Sequence, residues 1–221
     1  MGKLLVRQIS VVLLRRSSDS APVAIATVSR AQLLVYEGRW GSTKATHHMV
    51  QNVQGKDFNE TQTANPASVS QCSQLLGDIS QDLRMQLEEN SSPKAARSVL
   101  TSSRPPEWLH AKLATMKSGG TTTENTVVAI GGDTCMFRLV HQSLGVDSWT
   151  REEVWSVITQ KLCGCTDEDL EQRYRFLQAG MAIPKLVLMC AVMDVFSFPR
   201  VSWKHTNGST QGLLLHTDYW K

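Results

Sequence analysis

Two stretches of the chain have the form of a buried strand leading into a corner that could bind phosphate. The first is APVAIATVSRAQLLVYEGRW (21–40), where we expect a strand, a corner at Ala26–Ser29 and a second strand. The second is TVVAIGGDTCMF (126–137), where a strand leads into Gly131 and Gly132. A backbone closes most easily on a phosphate where the residues lack a Cβ, which favours glycine. Only the second corner has glycines.

An acidic residue follows the glycine pair, because Asp133 stands where the next helix should begin. A helix N-terminus can hold an anion. A carboxylate at that position instead caps the helix and repels phosphate. The sequence therefore favours a structural turn over a ligand site at Gly131-Gly132.

Two pairs of residues have types that could bind a metal ion. Cys163 and Cys165 are one residue apart, but zinc takes about four ligands and no second Cys or His pair stands at a suitable spacing. His47 and His48 fall in a predicted strand, which would point their rings to opposite faces. Neither pair predicts a metal site, and we expect no cofactor.

A serine, a histidine and an acid can also be combined on paper into a hydrolytic triad. No nucleophile elbow surrounds the serine, so the combination is interpreted as chance. Its members are Ser209, His205 and Asp194.

Composition excludes several classes of protein. With 23 Lys and Arg against 20 Asp and Glu in 221 residues, the charge is too even for a dedicated nucleic-acid binder. Five cysteines, an odd number, indicate free thiols in a reducing compartment. The apolar run Leu186–Phe196 contains Asp194 and is shorter than the roughly 20 residues that a membrane span needs. We therefore predict a core helix there and no transmembrane segment.

The N-terminal segment MGKLLVRQISVVLLRRSS is basic and has no acidic residue before Asp19. This composition is typical of a mitochondrial or plastid targeting segment. The alternative is an ordinary amphipathic helix or an edge strand of the fold. The predicted organisation is a basic N-terminal segment at 1–20, a domain at 21–217 and a tail at 218–221.

The periodicity of apolar residues predicts strands first and then helices alternating with strands, an α/β pattern with a mixed sheet. The predicted strands are 23–25, 33–36, 42–54, 126–130 and 201–203. The predicted helices begin at Asn65 as N-cap with Pro66 at the first position, at 106, after Gly132, at the capping box Thr150–Glu153, at Thr166 and at Pro184.

The later segments VVAIGGDTCMFRLVHQSLGV, WTREEVWSVITQKL, IPKLVLMCAVMDVFSF and VSWKHTNGSTQGLLL resemble, in order and spacing, the second half of the exopolyphosphatase and guanosine pentaphosphate phosphohydrolase family. These enzymes are actin-like, with two ribonuclease H-like halves that face each other across a phosphate-binding cleft. The resemblance runs from about Val23 to about Leu215. It implies a single ribonuclease H-like half-domain with a mixed sheet flanked by helices.

The same resemblance assigns the first corner a former role. In the family the second half begins with a strand and a phosphate loop of the form Asp-Ile-Gly-Gly-Gly-Ser-Thr-Glu. Aligned with that loop, the acidic residue becomes Ala24, the three glycines become Ala26, Thr27 and Val28, and the serine is kept as Ser29. Cβ atoms and a β-branched residue obstruct the approach to a phosphate. We expect two vestigial phosphate loops, this one and the Gly131-Gly132 corner.

The first half of the family's enzymes, which supplies another phosphate loop and an acidic residue, has no counterpart before Ala21. Phosphoanhydride hydrolysis needs groups on both sides of the transferred phosphoryl group. We therefore expect a pseudo-enzyme that serves as a structural subunit of a larger, mitochondrial assembly such as an ATP synthase, a respiratory complex or a mitochondrial ribosome. The alternative is a phosphate- or polyphosphate-binding or hydrolysing subunit completed by a separate partner half.

The expected partners are other protein subunits, with no direct nucleic-acid contact unless the assembly is ribosomal. Large apolar side chains near the surface are the candidates for these contacts, because aromatic anchors are enriched at interfaces. The candidates are Leu4, Leu5, Trp40 and Trp220.

Overall fold

The computed structural model describes residues 9–14, 22–28, 33–57, 63–89, 126–131, 135–176 and 178–205. Its strands are β1 (Ile9–Leu14), β2 (Pro22–Val28), β3 (Leu33–Gly41), β4 (Thr126–Gly131), β5 (Ser148–Trp149) and β6 (Val201–His205). These strands form one sheet in the order β3-β2-β1-β4-β6-β5. β1, β2 and β3 are successively antiparallel, whereas β4 is parallel to β1 and β6 is parallel to β4.

β1 lies in the middle of this sheet, between β2 and β4. Ile9–Leu14 is a strand of the fold, as one form of the sequence-based alternative predicted, but its predicted position at the edge of the sheet is wrong, and so is the helical form of the alternative. The predicted boundary at residue 20 is wrong for the same reason, since it would separate a central strand from its own sheet. Apart from Ser10, the segment ISVVLL consists of β-branched and aliphatic residues, which suits a strand that has neighbours on both sides.

The third strand predicted at 42–54 is a helix. α1 spans Ser42–His48 and continues as a π-helical turn at Met49–Val53. The buried residues recur at helical rather than alternating spacing, which explains the outcome. They are Ala45, Thr46, Met49 and Val50.

The long helix α2 spans Val69–Glu89, so it begins later than the predicted Asn65 cap. Ser68 caps it instead: the Gln71 backbone N–H donates to Ser68 Oγ at 3.2 Å, and the Ser68 N–H donates to Gln71 Oε1 at 2.9 Å. This reciprocal pair is a capping box with Gln at the third position. The peptide bond between Asn65 and Pro66 is cis. The Asn65 side chain donates hydrogen bonds to Asp167 and to the Ala179 carbonyl oxygen instead of capping α2.

The next three helices begin and end close to their predicted signals. α3 spans Met136–Leu144 and ends at Gly145, which has φ of +74° and supplies the left-handed C-cap. α4 spans Arg151–Val157 and continues as a π-helical turn, and α5 spans Asp167–Tyr174. Thr150 and Thr166 each form the capping box, with Glu153 and Asp169 respectively.

The apolar helix α6 spans Ala182–Val195 and is buried all round except at Asp194. It begins two residues before the predicted Pro184, after a 3₁₀ turn at Ala179–Met181. Contacts with α1, α2 and α4 surround it, which confirms the predicted core helix. Within the described residues, no single helix has both the length and the apolarity to cross a membrane.

The α/β class and the mixed sheet flanked by helices are confirmed. The predicted helix at 106–117 and the tail at 218–221 lie outside the described residues.

Candidate functional site

The carboxyl ends of the parallel strands β1, β4 and β6 meet at one edge of the sheet, where open α/β sheets bind ligands. β1 ends at Leu14, and Gly131 at the end of β4 lies opposite His205 at the end of β6. One step inward, Ile130 lies opposite Lys204. The structure therefore places the predicted Gly131 corner at the ligand-binding edge of the fold; Gly132 lies outside the described residues.

The other predicted phosphate corner is not a corner. Ala26, Thr27 and Val28 belong to β2, which is paired with β1 on one side and β3 on the other. Thr27, for example, lies opposite Ser10 and Leu34. Paired strand residues use their backbone N–H groups in the ladder and cannot turn them on a phosphate.

Two further residues, Ala24 and Ser29, belong to the predicted phosphate loop, and the one that the structure describes is also a strand residue. Ala24 lies inside β2, opposite Leu13 and Glu37. Ser29 lies outside the described residues. The β-branched and aliphatic residues from Pro22 to Val28 favour a continuous strand, which is why the strand runs through the predicted corner to Val28.

The N-cap residue of the helix after the Gly131 corner is a cysteine. Cys135 occupies this position of α3, so the interpretation of Asp133 as the cap is wrong; Asp133 itself lies outside the described residues. Burial raises the pKa of the Cys135 thiol, and backbone N–H groups of the first turn, including those of Arg138 and Phe137, oppose this shift. The thiol is therefore a poor nucleophile at neutral pH.

Trp40, a predicted interface anchor, is a core residue. Its side chain is 3% exposed and its indole N–H donates to the Asp82 carboxylate on α2. Gln86 donates to the same Asp82 oxygen at 2.6 Å. The contact fixes β3 against α2, so Trp40 is not available to a partner. Leu4, Leu5 and Trp220 lie outside the described residues.

The adjacent histidines lie on helix α1 rather than on a strand. Both ring nitrogens of His48 are engaged: Nε2 lies 2.8 Å from Asp78 Oδ2, and Nδ1 lies 3.1 Å from Asn52 Nδ2. The Trp40 ring meets the His48 ring edge-on at 5.4 Å between centroids. A general base needs a free ring nitrogen aimed at its substrate. This cluster joins α1 to α2 and has no such nitrogen.

Cys163 and Cys165 turn to different partners. The Cys163 sulfur lies 3.6 Å from the Cys72 sulfur on α2, whereas the Cys165 thiol donates to the Lys161 carbonyl oxygen at 3.4 Å. Among the described residues, no group of three or more His, Cys, Asp or Glu side chains could hold a metal ion. The contact between Cys72 and Cys163 joins residues 91 apart in sequence and could not be read from their spacing.

The triad drawn from Ser209, His205 and Asp194 gains no support. Asp194 lies on α6, with its carboxylate 3.9 Å from the Arg84 guanidinium. His205 ends β6, where its ring meets the Trp203 ring edge-on. Ser209 lies outside the described residues.

Sequence reasoning also missed a polar junction next to the start of α2. Asn65, only 8% exposed, donates from Nδ2 to Asp167 Oδ1 and to the Ala179 carbonyl oxygen, both at 2.8 Å. These bonds tie the segment before α2 to α5 and to the turn before α6. Asn and Pro next to a helix read as a cap and a first residue, so the sequence signal pointed to the wrong role.

A small cavity between α3, α6 and β6 has a lining without polar atoms. An entirely apolar lining offers no donor to an anion, and we assign the cavity to core packing. Its lining residues are Phe137, Leu188, Met189, Val192, Met193, Phe198 and Val201.

The fold is similar to that of solved phosphatases. A structure of the Aquifex aeolicus PPX-GPPA enzyme matches with a TM-score of 0.56 at 12% identity, over 94% of this chain and 56% of that chain. Two further Aquifex aeolicus Ppx/GppA structures match at 11% identity, with TM-scores of 0.53 and 0.51. No protein-family model and no curated protein matches the sequence. The predicted resemblance is confirmed at the level of the fold, and the chain spans about half the length of these structures.

β1 precedes β2 in the described sheet, and residues 15–21 connect the two strands in the sequence. That connection reads Arg-Arg-Ser-Ser-Asp-Ser-Ala and contains no glycine. The residues that the sequence analysis aligned with a phosphate loop, from Ala24 to Val28, lie within β2.

Proposed function

We propose that this chain is a non-catalytic interaction subunit of a larger protein assembly, built on a half-domain of the Ppx/GppA type. The observation that carries the proposal is the segment aligned with the family's phosphate loop, which has Ala26, Thr27 and Val28 where the family's loop has three glycines. Side chains at these positions obstruct a close approach of backbone N–H groups to a phosphate.

The family's acidic residue before that loop also has no equivalent. Ala24 stands at this position on β2, opposite Leu13 on β1. Phosphoryl transfer depends on groups that position water and metal-bound phosphate, and an aliphatic side chain does neither. A fold that keeps its sheet and core while changing these positions is one that serves packing and contact.

The assembly we propose is mitochondrial, with an ATP synthase, a respiratory complex or a mitochondrial ribosome as the candidates. The support is the basic, acid-free composition of residues 1–18. Because β1 is central to the sheet, residues 1–20 cannot act as a leader that is removed as one piece. The proposal therefore requires that Ile9–Leu14 is retained in the mature protein.

The test is to isolate the chain from its native source under mild detergent and to identify the subunits that migrate with it on a native gel. We expect a complex of defined composition that contains the chain in a fixed ratio to the other subunits. The purified complex should then be assayed with polyphosphate and guanosine pentaphosphate. Recovery of the chain as a free monomer, or hydrolysis that a Gly131→Val substitution abolishes while leaving incorporation intact, would overturn the proposal.

One observation favours the second candidate, a phosphate-binding subunit completed by a partner half. Lys204 and His205 end β6 at the ligand-binding edge and are exposed, and two further basic residues, Arg15 and Arg16, follow β1 directly in sequence. Cations at the carboxyl edge of a parallel sheet attract anions. Basic side chains that act without glycine N–H groups bind an anion weakly and with little selectivity.

Thermal unfolding with and without polyphosphate separates the two candidates, because a ligand that binds the folded state raises Tm. The phosphate-binding candidate expects a rise at millimolar ligand that Lys204→Gln reduces. The matched control is Lys56→Gln, which removes the same charge from an exposed position off the sheet. No shift, or an equal shift in both variants, would remove the phosphate-binding candidate.

A further inference from the structure

Two cysteines from distant parts of the chain lie side by side. Cys72 is on the first turns of α2 and is fully buried, and Cys163 follows the π-helical turn after α4 and is half-buried. Their sulfur atoms are 3.6 Å apart. The two sulfurs are in contact as free thiols, and only one of the two has a route to solvent.

The backbone next to the two cysteines is held together independently of them. The Gly164 N–H donates to the Ala67 carbonyl oxygen at 2.9 Å, which fixes the turn at 162–165 against the chain that enters α2. Gly164 has φ of +81°, a conformation that favours glycine, so this turn has a defined shape. The thiols are therefore positioned by the fold.

The contact makes the two thiols chemically unequal. The two thiols share a hydrogen bond in which either sulfur can be the donor. This contact, together with burial, raises the pKa of Cys72 far above its ordinary value. The same hydrogen bond lowers the pKa of Cys163, against the opposing effect of burial. A thiolate is the reactive form of cysteine, so Cys163 is the more nucleophilic of the pair and also the more accessible.

We propose that Cys72 and Cys163 form a reversible disulfide, with Cys163 reacting first with a low-molecular-mass disulfide and Cys72 resolving the product. In the first step the Cys163 thiolate attacks one sulfur of the small disulfide, forming a mixed disulfide and releasing one small thiolate. In the second step the Cys72 sulfur attacks the Cys163 sulfur of the mixed disulfide, and the Cys72 proton passes to the small thiolate that leaves. Two protein thiols become one disulfide, and one small disulfide becomes two thiols.

The covalent bond requires only a local movement. A disulfide needs a sulfur-to-sulfur distance of about 2.05 Å, and the two sulfurs start in contact at 3.6 Å. Rotation of the Cys163 side chain, which has space on its solvent side, can supply the difference. The bond would cross-link α2 to the turn after α4 and enclose the intervening chain, which restricts the unfolded state and raises Tm.

The other three cysteines are poor competitors for this reaction. Cys165 is buried and its thiol donates to the Lys161 carbonyl oxygen. Cys190 is buried in α6, and burial raises the pKa of its thiol to about 12. Burial also raises the pKa of Cys135. Cys163 is therefore the described cysteine that combines access with thiolate character.

The test treats the purified full chain with oxidised glutathione and measures its intact mass, followed by peptide mapping without reduction. We expect a loss of two hydrogens, a cross-linked peptide pair containing Cys72 and Cys163, and a Tm several degrees higher that dithiothreitol reverses. Cys72→Ser should stop at a single glutathione adduct on Cys163. Cys163→Ser should leave Cys72 unmodified.

The matched control is Cys165→Ala, which keeps the proposed pair and should form the same cross-link at the same rate. If Cys72→Ser fails to fold, Cys72→Ala preserves the apolar character of the site and serves in its place. A disulfide between Cys163 and Cys165, or full retention of five thiols in excess oxidised glutathione while a small-molecule dithiol in the same tube is oxidised, would overturn the proposal.

Discussion

Val12 on β1 lies opposite Ala129 on β4 in a parallel ladder. Ala129 in turn lies opposite Trp203 on β6, and Val12 lies opposite Ile25 on β2. The strand nearest the N-terminus therefore connects the antiparallel part of the sheet to its parallel part. Without β1, β2 and β4 would have no shared neighbour, and both would expose unpaired backbone groups.

The first prediction concerns the N-terminal segment. Deleting residues 1–20 should give an insoluble or unfolded chain, because it removes the central strand, whereas deleting residues 1–8 keeps β1 and should preserve folding. Circular dichroism and the soluble yield of both truncations measure this. Equal solubility and equal Tm for the two would show that Ile9–Leu14 is dispensable and that the segment acts only as an address.

The second prediction compares two glycines. A Cβ on Gly180 would lie 3.0 Å from the Thr63 Cβ and 3.1 Å from its Cγ2, so Gly180→Ala should lower stability. Gly77 lies exposed within α2 and a Cβ there meets nothing within 4 Å, so Gly77→Ala should raise stability by about 0.5 to 1 kcal/mol.

Urea unfolding of the two alanine variants measures these changes with matched chemistry. Opposite signs are expected. A Gly180→Ala variant as stable as the wild type would mean that the segment around Thr63 is not packed against the turn before α6.

The third prediction assigns Trp40 to stability rather than to partner contact. Trp40→Phe keeps an aromatic ring and removes the indole N–H that donates to Asp82, so we expect a loss of roughly 1 to 3 kcal/mol. A double-mutant cycle with Asp82→Ala should show coupling, because both substitutions remove the same hydrogen bond. Additive effects would contradict the assignment, as would weakened assembly at unchanged stability.

The sequence predicted the elements whose signals are local. The capping box at Thr150, the cap at Thr166 and the apolar run of α6 each depend on neighbours within a few residues, and each is confirmed. The same local rules failed at Asn65, where a cap-like residue makes its hydrogen bonds to Asp167 and Ala179 more than 100 residues away.

The errors at the candidate site have one physical origin. A short apolar run does not reveal how many strands precede it in the sheet, and β1 was hidden because its flanking arginines resemble a targeting segment. Because the sequence analysis did not predict β1 as a central strand, it placed the phosphate loop on residues that belong to β2, where Thr27 is paired on both sides. The Cys72 and Cys163 contact was equally hidden, because tertiary packing brings the two together.

The last prediction is a dependence of stability on pH that arises at the start of α5. The backbone N–H of Thr166 donates to Asp169 Oδ2 at 3.0 Å and the Thr166 hydroxyl donates to it at 2.9 Å, which lowers the pKa of Asp169 below its ordinary value of 3.8. Because these bonds favour the ionised carboxylate only in the folded state, they contribute stability above the unfolded pKa of about 4. That contribution is lost as pH falls through the lower folded pKa.

Asp169→Asn should therefore remove part of the decrease in Tm between pH 5 and pH 2, while being less stable than the wild type at pH 7. Glu168→Gln is the matched control: it removes a charge from the same first helical turn and leaves the capping box with Thr166 intact. If the Tm of the two variants falls equally with pH, the effect comes from the charge near the helix N-terminus rather than from the hydrogen bonds of Asp169, and the capping argument fails.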